Sequence, residues 1–289
     1  MRNRLAVAGF LAPFLVLFSA FFLVPIGYSI YRSMTLVERT GPLGFGGAEQ
    51  VFGGLTNYLW ALQEPGFLAG LGRILLFGAV QVPVMIAAAT VLALLLDSAS
   101  ARWKGFFRAT YFLPYGIPGV LASILWGFLY MPGVSPFSEL LGVEIDFLGQ
   151  DTVLWSIANI VTWSFAGYNM LVITAQLNAI DPSLYESARM DGANAWQLAW
   201  HVKLPLIRPA LVLTTVFSII GTLQLFAEPM VLKELSTAID ARYTPNLSAY
   251  SEAFVNNDYG LAAAQAVLLA LTAFVLSFGF LKLVGRRAP

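Results

Sequence analysis

The chain has 289 residues, of which 58% are hydrophobic and 11% charged, with 16 Lys and Arg against 16 Asp and Glu. Soluble proteins are about 45–50% apolar and about 25% charged. A water-soluble globule or a disordered chain is therefore excluded, and the sequence predicts an all-α polytopic membrane protein. The chain has no Cys and one His, which excludes disulfides and thiolate metal sites, so we expect no metal site.

Six stretches of the chain are apolar over the roughly 20 residues that a membrane-spanning helix needs. The first follows two arginines, as a signal peptide would, but its apolar run continues to Tyr31, well beyond the ~7–15 residues of a secretory signal. We expect this segment to be retained as a helix, with cleavage as the alternative. The predicted spans of this single transmembrane domain, residues 1–289, are about 6–31, 70–96, 109–131, 152–176, 206–227 and 261–284.

Basic residues predict the orientation of these spans. With a cytoplasmic N-terminus, eleven of the 16 Lys and Arg residues lie in cytoplasmic segments and five outside: Arg32, Arg39, Arg73, Lys233 and Arg242. The positive-inside rule then places both termini in the cytoplasm. No Asp, Glu or Lys falls at the centre of a span, although ion-coupled carriers and proton pumps usually keep such residues there. The pattern favours transport that is driven by another component.

The cytoplasmic segment between spans four and five, about residues 178–205, is predicted to be an ordered helical hairpin. Asp181 followed by Pro182 is typical of a helix start, because the carboxylate caps the helix and Pro needs no N–H at the first position. Gly192 permits the positive φ that ends this helix. Asn194 can cap a second short helix that leads into span five.

This segment resembles a known motif. Its sequence contains Glu186-Ser187-Ala188, then Gly192 six residues after the Glu. After nine intervening residues, Val202-x-Leu204-Pro205 follows. This pattern resembles the EAA loop of ABC importer permeases. The longer run Tyr185-Glu186-x-Ala188-x-x-Asp191-Gly192-Ala193 is similar to the carbohydrate-uptake branch, the maltose and glycerol-3-phosphate type. Ser187 and Val202 depart from the motif, and an ordinary amphipathic connector is the alternative.

The resemblance implies a type I ABC importer permease fold in a bacterial inner membrane. It also implies a second homologous permease subunit, two ATP-binding subunits and an extracellular binding protein that delivers a sugar. The chain has no GxxxxGK[ST] loop, so we expect no enzyme activity and no cofactor, with ATP and Mg bound by the partners. A nucleic-acid partner is not expected. The residues expected to couple the chain to the ATPase are Glu186, Ser187, Ala188, Met190, Asp191, Gly192, Leu204 and Pro205.

Aromatic and hydroxyl side chains within spans three, four and five are candidates for a sugar cavity. Pro114 and Pro118 must kink or open span three, and broken helices are tolerated where they line a cavity. Tyr and Trp offer a flat apolar face with one hydrogen-bonding group, which suits a sugar ring. Ser218, Thr222 and Leu225 have the spacing of one helical stripe. The resemblance implies the same region, and the candidates are Tyr115, Gly119, Trp163, Ser164, Phe165, Tyr168, Ser218, Thr222 and Leu225.

Other interpretations of these residues stay open. Hydroxyl and small residues also serve as packing contacts between membrane helices. Gln224 and Glu228 are expected to be gating or partner contacts, Arg73 to extend to the membrane interface, and His201 to lie at a surface.

The sequence thus predicts a sugar permease, with glycerol-3-phosphate or a related polyol phosphate as the alternative substrate. A phosphate favours Arg or Lys near the cavity, and the candidate faces carry none. A secondary carrier and a membrane-embedded enzyme are the rival classes. A secondary carrier usually has a carboxylate within its spans, and a membrane-embedded enzyme needs a catalytic constellation there. The predicted spans of this sequence contain neither.

Overall fold

The structure of the chain is a computed structural model that describes residues 2–39, 47–98, 101–143 and 145–285. Over the described residues, the structure is 77% helical and 3% strand, which confirms the all-α prediction. Residue 1 and residues 286–289, at the termini for which a cytoplasmic location is predicted, lie outside the described residues. Two compact units share these elements: one combines the described residues up to Gly70 with Pro245–Thr272, and the other combines Leu71–Thr244 with those from Ala273 onward.

The elements in chain order run from the N-terminal span to the C-terminal span. The first half contains α1 Arg2–Phe18, α2 Val24–Ser33, β1 Thr35–Arg39, β2 Ala48–Phe52, α3 Thr56–Gln63, α4 Pro65–Asp97, α5 Lys104–Phe112, α6 Gly119–Tyr130 and α7 Pro136–Leu141. The second half contains α8 Val153–Asn178, α9 Pro182–Met190, α10 Ala195–Leu198, α11 Leu204–Leu206, α12 Arg208–Leu223, α13 Ala227–Leu232, α14 Pro245–Phe254 and α15 Tyr259–Gly285. β1 and β2 form an antiparallel hairpin in which Thr35 is opposite Phe52.

The membrane-spanning helices match the six predicted stretches. Among the described residues, five segments are long and apolar enough to cross a bilayer: Val7–Ser33, Pro65–Asp97, Val153–Asn178, Arg208–Leu232 and Tyr259–Val284. The predicted third span is the bent pair Lys104–Gly116 and Gly119–Tyr130, whose two helices meet at 97°. Counted as one broken span, this pair gives the sixth.

The break in the third span follows directly from its prolines. The chain tightens into a 3₁₀ turn over Leu113–Gly116, and Ile117 is extended at φ −87° and ψ 123°. An extended residue before Pro118 is what a proline imposes, because its ring clashes with a helical conformation at the preceding residue. α6 then begins at Gly119. The predicted opening of this span is confirmed.

The predicted fifth span, 206–227, is not one continuous helix. α12 ends at Leu223, and the chain turns through Gln224 to Phe226, where φ is −145°, before α13 begins at Ala227. Leu225 therefore lies beyond the end of α12. The prediction that Ser218, Thr222 and Leu225 form one stripe is wrong for Leu225, because the helical spacing does not continue through the turn.

A packed core holds α4, α8 and the start of α12 together. Its buried members come from the second halves of α4 and α8 and from the residue before α12: Ala89, Ala93, Leu96, Met170, Ile173, Leu177 and Ile207. α5 approaches α8 at Gly167, where a Cβ atom would overlap the carbonyl oxygen of Tyr111. Gly167 thus permits the contact of two backbones, as small residues commonly do between membrane helices.

A buried glutamine connects three of these helices. The Gln81 amide of α4 donates to Thr162 Oγ1 of α8 at 3.3 Å and accepts from Thr222 Oγ1 of α12 at 3.3 Å. Gln81 is only 2% exposed. A polar group within a membrane needs such partners, because the bilayer core offers no water to replace them. The Thr222 hydroxyl is therefore engaged in a hydrogen bond between helices.

Replacing Gln81 with Ala should lower the stability of the chain. The variant loses both interhelical hydrogen bonds and leaves the two threonine hydroxyls with fewer partners, at a cost of about 1–2 kcal/mol. Thermal unfolding of the detergent-purified complex measures this as a lower Tm. The control is Gln63→Ala, which truncates an exposed glutamine at the end of α3. Equal Tm values for the two variants would contradict a structural role for the Gln81 contacts.

Candidate functional site

The start of α9 is capped as the sequence predicts. The Asp181 carboxylate accepts a hydrogen bond from the Ser183 N–H at 2.9 Å, and Pro182 occupies the first helical position. The hydrogen bond from the Ser183 backbone lowers the pKa of Asp181 below its usual value. The cap is therefore ionised, and satisfied, at neutral pH.

The end of α9 is a glycine-dependent turn. Gly192 has φ +85°, and the N–H groups of Gly192 and Ala193 donate to the carbonyls of Arg189 and Ala188, each at 3.0 Å. These two bonds form a Schellman motif, which satisfies the last carbonyls of the helix. A Cβ atom at Gly192 would have no neighbour within 4 Å. Gly192 is required for its backbone conformation rather than for space.

The second half of the segment completes the predicted hairpin. The Asn194 side chain accepts from the Gln197 N–H, and the Gln197 side chain accepts from the Asn194 N–H, both at 2.9 Å. This capping box starts α10. A π-helical turn, Ala199–Lys203, then leads to α11 and α12.

The predicted coupling residues divide into an exposed group and an anchored group. Glu186, Ser187, Asp191 and Gly192 are exposed, Met190 is 89% exposed, and Ala188 is half-buried. Leu204 packs against the core shared by α4 and α8, and Pro205 beside it is exposed. The outer face of α9 is thus exposed, whereas the end of the hairpin at Leu204 is packed against the core.

Large exposed apolar side chains extend this surface beyond the motif. Leu184 is 46% exposed, Trp196 70% and Trp200 52%, and the two tryptophan rings lie 5.6 Å apart. These residues were not predicted from the sequence, because they lie outside the positions that the motif specifies. Exposed aromatic residues on a capped helical hairpin are suited to contact with another protein.

The break in the third span brings three predicted sugar residues together. Tyr115, in the 3₁₀ turn, stacks on Tyr168 of α8 with ring centroids 4.7 Å apart and an interplanar angle of 17°. Phe165 meets the edge of Tyr115 at 5.7 Å and 76°. Tyr115 is 40% exposed and Phe165 41%, so the cluster presents an accessible aromatic face. Ser164, adjacent to Phe165, is buried.

Gly119 lies beside an acidic side chain. A Cβ atom at Gly119 would stand 3.4 Å from Glu228 Oε1 and 3.8 Å from the Ala227 Cβ. Glu228 is half-buried in the first turn of α13. Gly119, four residues after Tyr115, therefore places the first turn of α6 next to the Glu228 side chain of α13.

The other predicted sugar residues are Trp163, Ser218, Thr222 and Leu225. Trp163 meets the edge of Trp126 at 5.7 Å, and it is turned about 140° from Tyr168 around the α8 axis by helical geometry. Thr222 is bound to Gln81, and Leu225 is buried in the turn after α12. Ser218 is half-buried one turn before Thr222. Trp163 and Thr222 thus have partners other than Tyr115 and Tyr168.

Two further expectations concern single polar residues. Arg73 Nη1 donates to the Tyr243 carbonyl at 2.7 Å, and its guanidinium lies 4.2 Å from the centre of the Tyr243 ring. Arg73 thus holds the loop before α14 instead of extending freely to the interface. His201 is exposed, as predicted, with Nδ1 3.2 Å from the Gln197 carbonyl. Among the described residues, no cluster of His, Asp and Glu could hold a metal ion.

The fold and the capped hairpin between α8 and α12 define a class of membrane transport subunit. Residues 86–288 match the family described as the binding-protein-dependent transport system inner membrane component. The chain belongs to this family.

Named relatives and a solved structure agree with this membership. The chain is 34% identical to the lactose transport system permease protein LacF of Rhizobium radiobacter over 93% of this chain and 90% of that protein. It is 30% identical to the sn-glycerol-3-phosphate transport system permease protein UgpA of Agrobacterium fabrum, over 96% of this chain and 95% of that protein. A bacterial alginate ABC transporter has been solved in complex with a periplasmic protein that carries alginate pentasaccharide, and one of its chains has the same fold. The TM-score is 0.81 at 19% identity, and the match covers 99% of this chain and 96% of that chain. The type I permease fold is confirmed.

Proposed function

We propose that the chain forms half of the translocation path of an ATP-driven importer for a neutral sugar. The observation that carries this proposal is the exposed, capped helix α9 in a chain that belongs to a binding-protein-dependent transport family. The names of LacF and UgpA indicate small polyhydroxylated substrates among its relatives. The other half of the path comes from a second, homologous permease subunit.

Two ATP-binding subunits supply the energy in this proposal. α9 lies in a groove of one of them, in the helix-in-groove mode of recognition. Glu186 makes the polar contact, Ala188 and Met190 pack against the groove, and Ser187, Asp191 and Gly192 complete the turn. Leu204 and Pro205 transmit the movement to α12. The chain itself is not an enzyme: ATP and Mg belong to the partners, both termini are cytoplasmic, and the extracellular binding protein delivers the sugar from the other side of the inner membrane.

The aromatic face of Tyr115, Phe165 and Tyr168 is the proposed contact surface for the sugar ring. Flat rings match the CH face of a sugar, and the two tyrosine hydroxyls can bond its rim. Gly119 leaves room beside this face, and Ser164 and Ser218 supply small hydroxyls. Trp163, Thr222 and Leu225, which pack or bond elsewhere, support the surrounding helices without touching the sugar.

The acidic side chain beside Gly119 favours a neutral sugar over a phosphorylated or acidic one. This side chain is Glu228. A carboxyl group forms hydrogen bonds with sugar hydroxyls but offers no positive charge to a phosphate or uronate group. Glycerol-3-phosphate is the second candidate, because UgpA is 30% identical over 96% of the chain.

Uptake into vesicles that contain the complete complex tests this proposal. The complex is reconstituted with its own binding protein, and lactose, an arabinose oligosaccharide, glycerol-3-phosphate and an alginate oligosaccharide are compared. We expect a neutral sugar of this set to be accumulated, or to compete for uptake, and the two anionic compounds to be inactive. Uptake of glycerol-3-phosphate without uptake of either neutral sugar would contradict the choice of substrate and support the second candidate.

A further inference from the structure

A buried ion pair lies at the base of the cytoplasmic hairpin. Lys203, in the π-helical turn before α11, places Nζ 2.5 Å from Oδ2 of Asp97, the last residue of α4. The lysine is 9% exposed as a residue, and the Asp97 side chain is 16% exposed. Lys203 is the unassigned position in Val202-x-Leu204-Pro205, so the motif gives no role to it.

The same lysine also contacts α9. Its Nζ lies 5.2 Å from the centre of the Tyr185 ring, one residue before Glu186. The Tyr185 hydroxyl is buried without a hydrogen-bond partner. Burial, and then the negative charge of Asp97, raise the pKa of Tyr185 above its usual value, so this side chain stays neutral beside the ion pair. Three groups from α4, α9 and the π-helical turn therefore meet at Lys203.

We infer that Lys203 and Asp97, with Tyr185, form a joint that fixes the position of α9 relative to α4. This inference rests on the proposed function, since it assigns a path by which movement of α9 reaches the spans. The outer face of α9 is exposed, whereas the base of the hairpin is held by Lys203 and by Leu204 and Ile207 in the core of α4 and α8. Coupling between distant sites needs such a contiguous physical link.

The charges of the joint matter because both partners are largely withdrawn from water. Removing one member of a buried pair leaves the other charge without compensation, and this is much more costly than the loss of a surface salt bridge. The unpaired Lys203 or Asp97 should then move towards water, and α9 should lose its fixed position. Exchanging the two charges keeps the pair and should keep the position.

The experiment uses the assembled complex in vesicles with four variants of the chain. Lys203→Met and Asp97→Asn each remove one charge, the double variant Asp97→Lys with Lys203→Asp reverses the pair, and Lys282→Met removes an exposed lysine as the control. Because the chain has no Cys, spin labels can be placed at Arg189→Cys on α9 and Leu95→Cys on α4, both exposed positions. The measurements are the distance distribution between the labels and the ATP hydrolysed per lactose imported.

We expect the two neutral variants to broaden the distance distribution and to raise the ATP hydrolysed per lactose about five-fold or more, a typical coupling effect. The charge-reversed variant should recover both values, and Lys282→Met should not change them. Unchanged distances and ratios in both neutral variants, or a charge-reversed variant no better than they are, would overturn the inference. If the neutral variants do not assemble, the charge-reversed variant decides alone. A wild-type complex that imports neither lactose nor an arabinose oligosaccharide would count against the proposed substrate, whereas the distance measurement would still test the joint.

Discussion

Replacing Gly192 with Val should weaken both binding-protein-stimulated ATP hydrolysis and transport while the membrane-spanning helices stay folded. Gly192 has φ +85°, a conformation that costs most L-residues about 1–2 kcal/mol and a β-branched residue more. The Schellman bonds to Arg189 and Ala188 depend on this conformation, so the end of α9 should unwind or reorient. The ATP-binding subunits would then meet a displaced helix. We expect stimulation of ATP hydrolysis by the loaded binding protein to fall about tenfold, the equivalent of 1.4 kcal/mol.

The control for this variant is Gly192→Asn. Asn also adds a side chain, but it tolerates the left-handed conformation far better than Val. Because a Cβ atom at Gly192 has no neighbour within 4 Å, neither variant creates a clash within the chain. Stimulated hydrolysis and uptake, measured together in vesicles, should be largely retained in Gly192→Asn and lost in Gly192→Val. Equal loss in both would show that any side chain blocks the partner, and equal retention would leave α9 without a coupling role.

The double variant Tyr115→Ala with Tyr168→Ala should reduce sugar uptake in an assembled complex. The two rings stack at 4.7 Å and carry the accessible aromatic face. Each aromatic contact contributes about 0.5–1.5 kcal/mol beyond its buried area, so the loss of both should lower uptake about tenfold or more. Uptake of the transported sugar, normalised to the amount of assembled complex, measures the effect. Stimulation by the binding protein reports whether the complex is still coupled.

Two comparisons separate sugar binding from packing. Phe274→Ala with Phe278→Ala removes another ring pair one turn apart, with centroids 4.3 Å apart, from the exposed face of α15. This variant should transport normally. The variant Tyr115→Phe with Tyr168→Phe keeps both rings. Its uptake should fall only by the amount that the two hydroxyl groups contribute. Wild-type uptake by the double Ala variant would identify Tyr115 and Tyr168 as packing residues.

Local rules predicted the hairpin of α9 and α10 well. Asp181, Gly192 and Asn194 act through groups at most five residues away, so the cap, the turn and the capping box follow from sequence order. The broken third span is predictable for the same reason, because Pro118 restricts its immediate neighbour. These features need no knowledge of tertiary packing.

Features that depend on packing between distant segments were predicted less completely. Leu225 fits a helical stripe by spacing, but α12 ends two residues earlier. Trp163 and Thr222 have suitable chemistry for a sugar, yet their partners, Trp126 and Gln81, are far away in the chain. The sequence assigns no role to Lys203, because its partner Asp97 is more than a hundred residues earlier in the chain. Periodicity identifies a helix face but not the group opposite it.

The most direct test of the central claim measures sugar uptake with and without ATP inside the vesicles. The vesicles contain this chain, its homologous permease subunit and the ATP-binding subunits. The binding protein is outside, together with the labelled neutral sugar that the uptake comparison identifies. We predict accumulation only when ATP is inside and the binding protein is present, and none with ADP or with a hydrolysis-deficient ATP-binding subunit. Accumulation by this chain without the ATP-binding subunits, driven by an ion gradient, would contradict the claim and identify a secondary carrier.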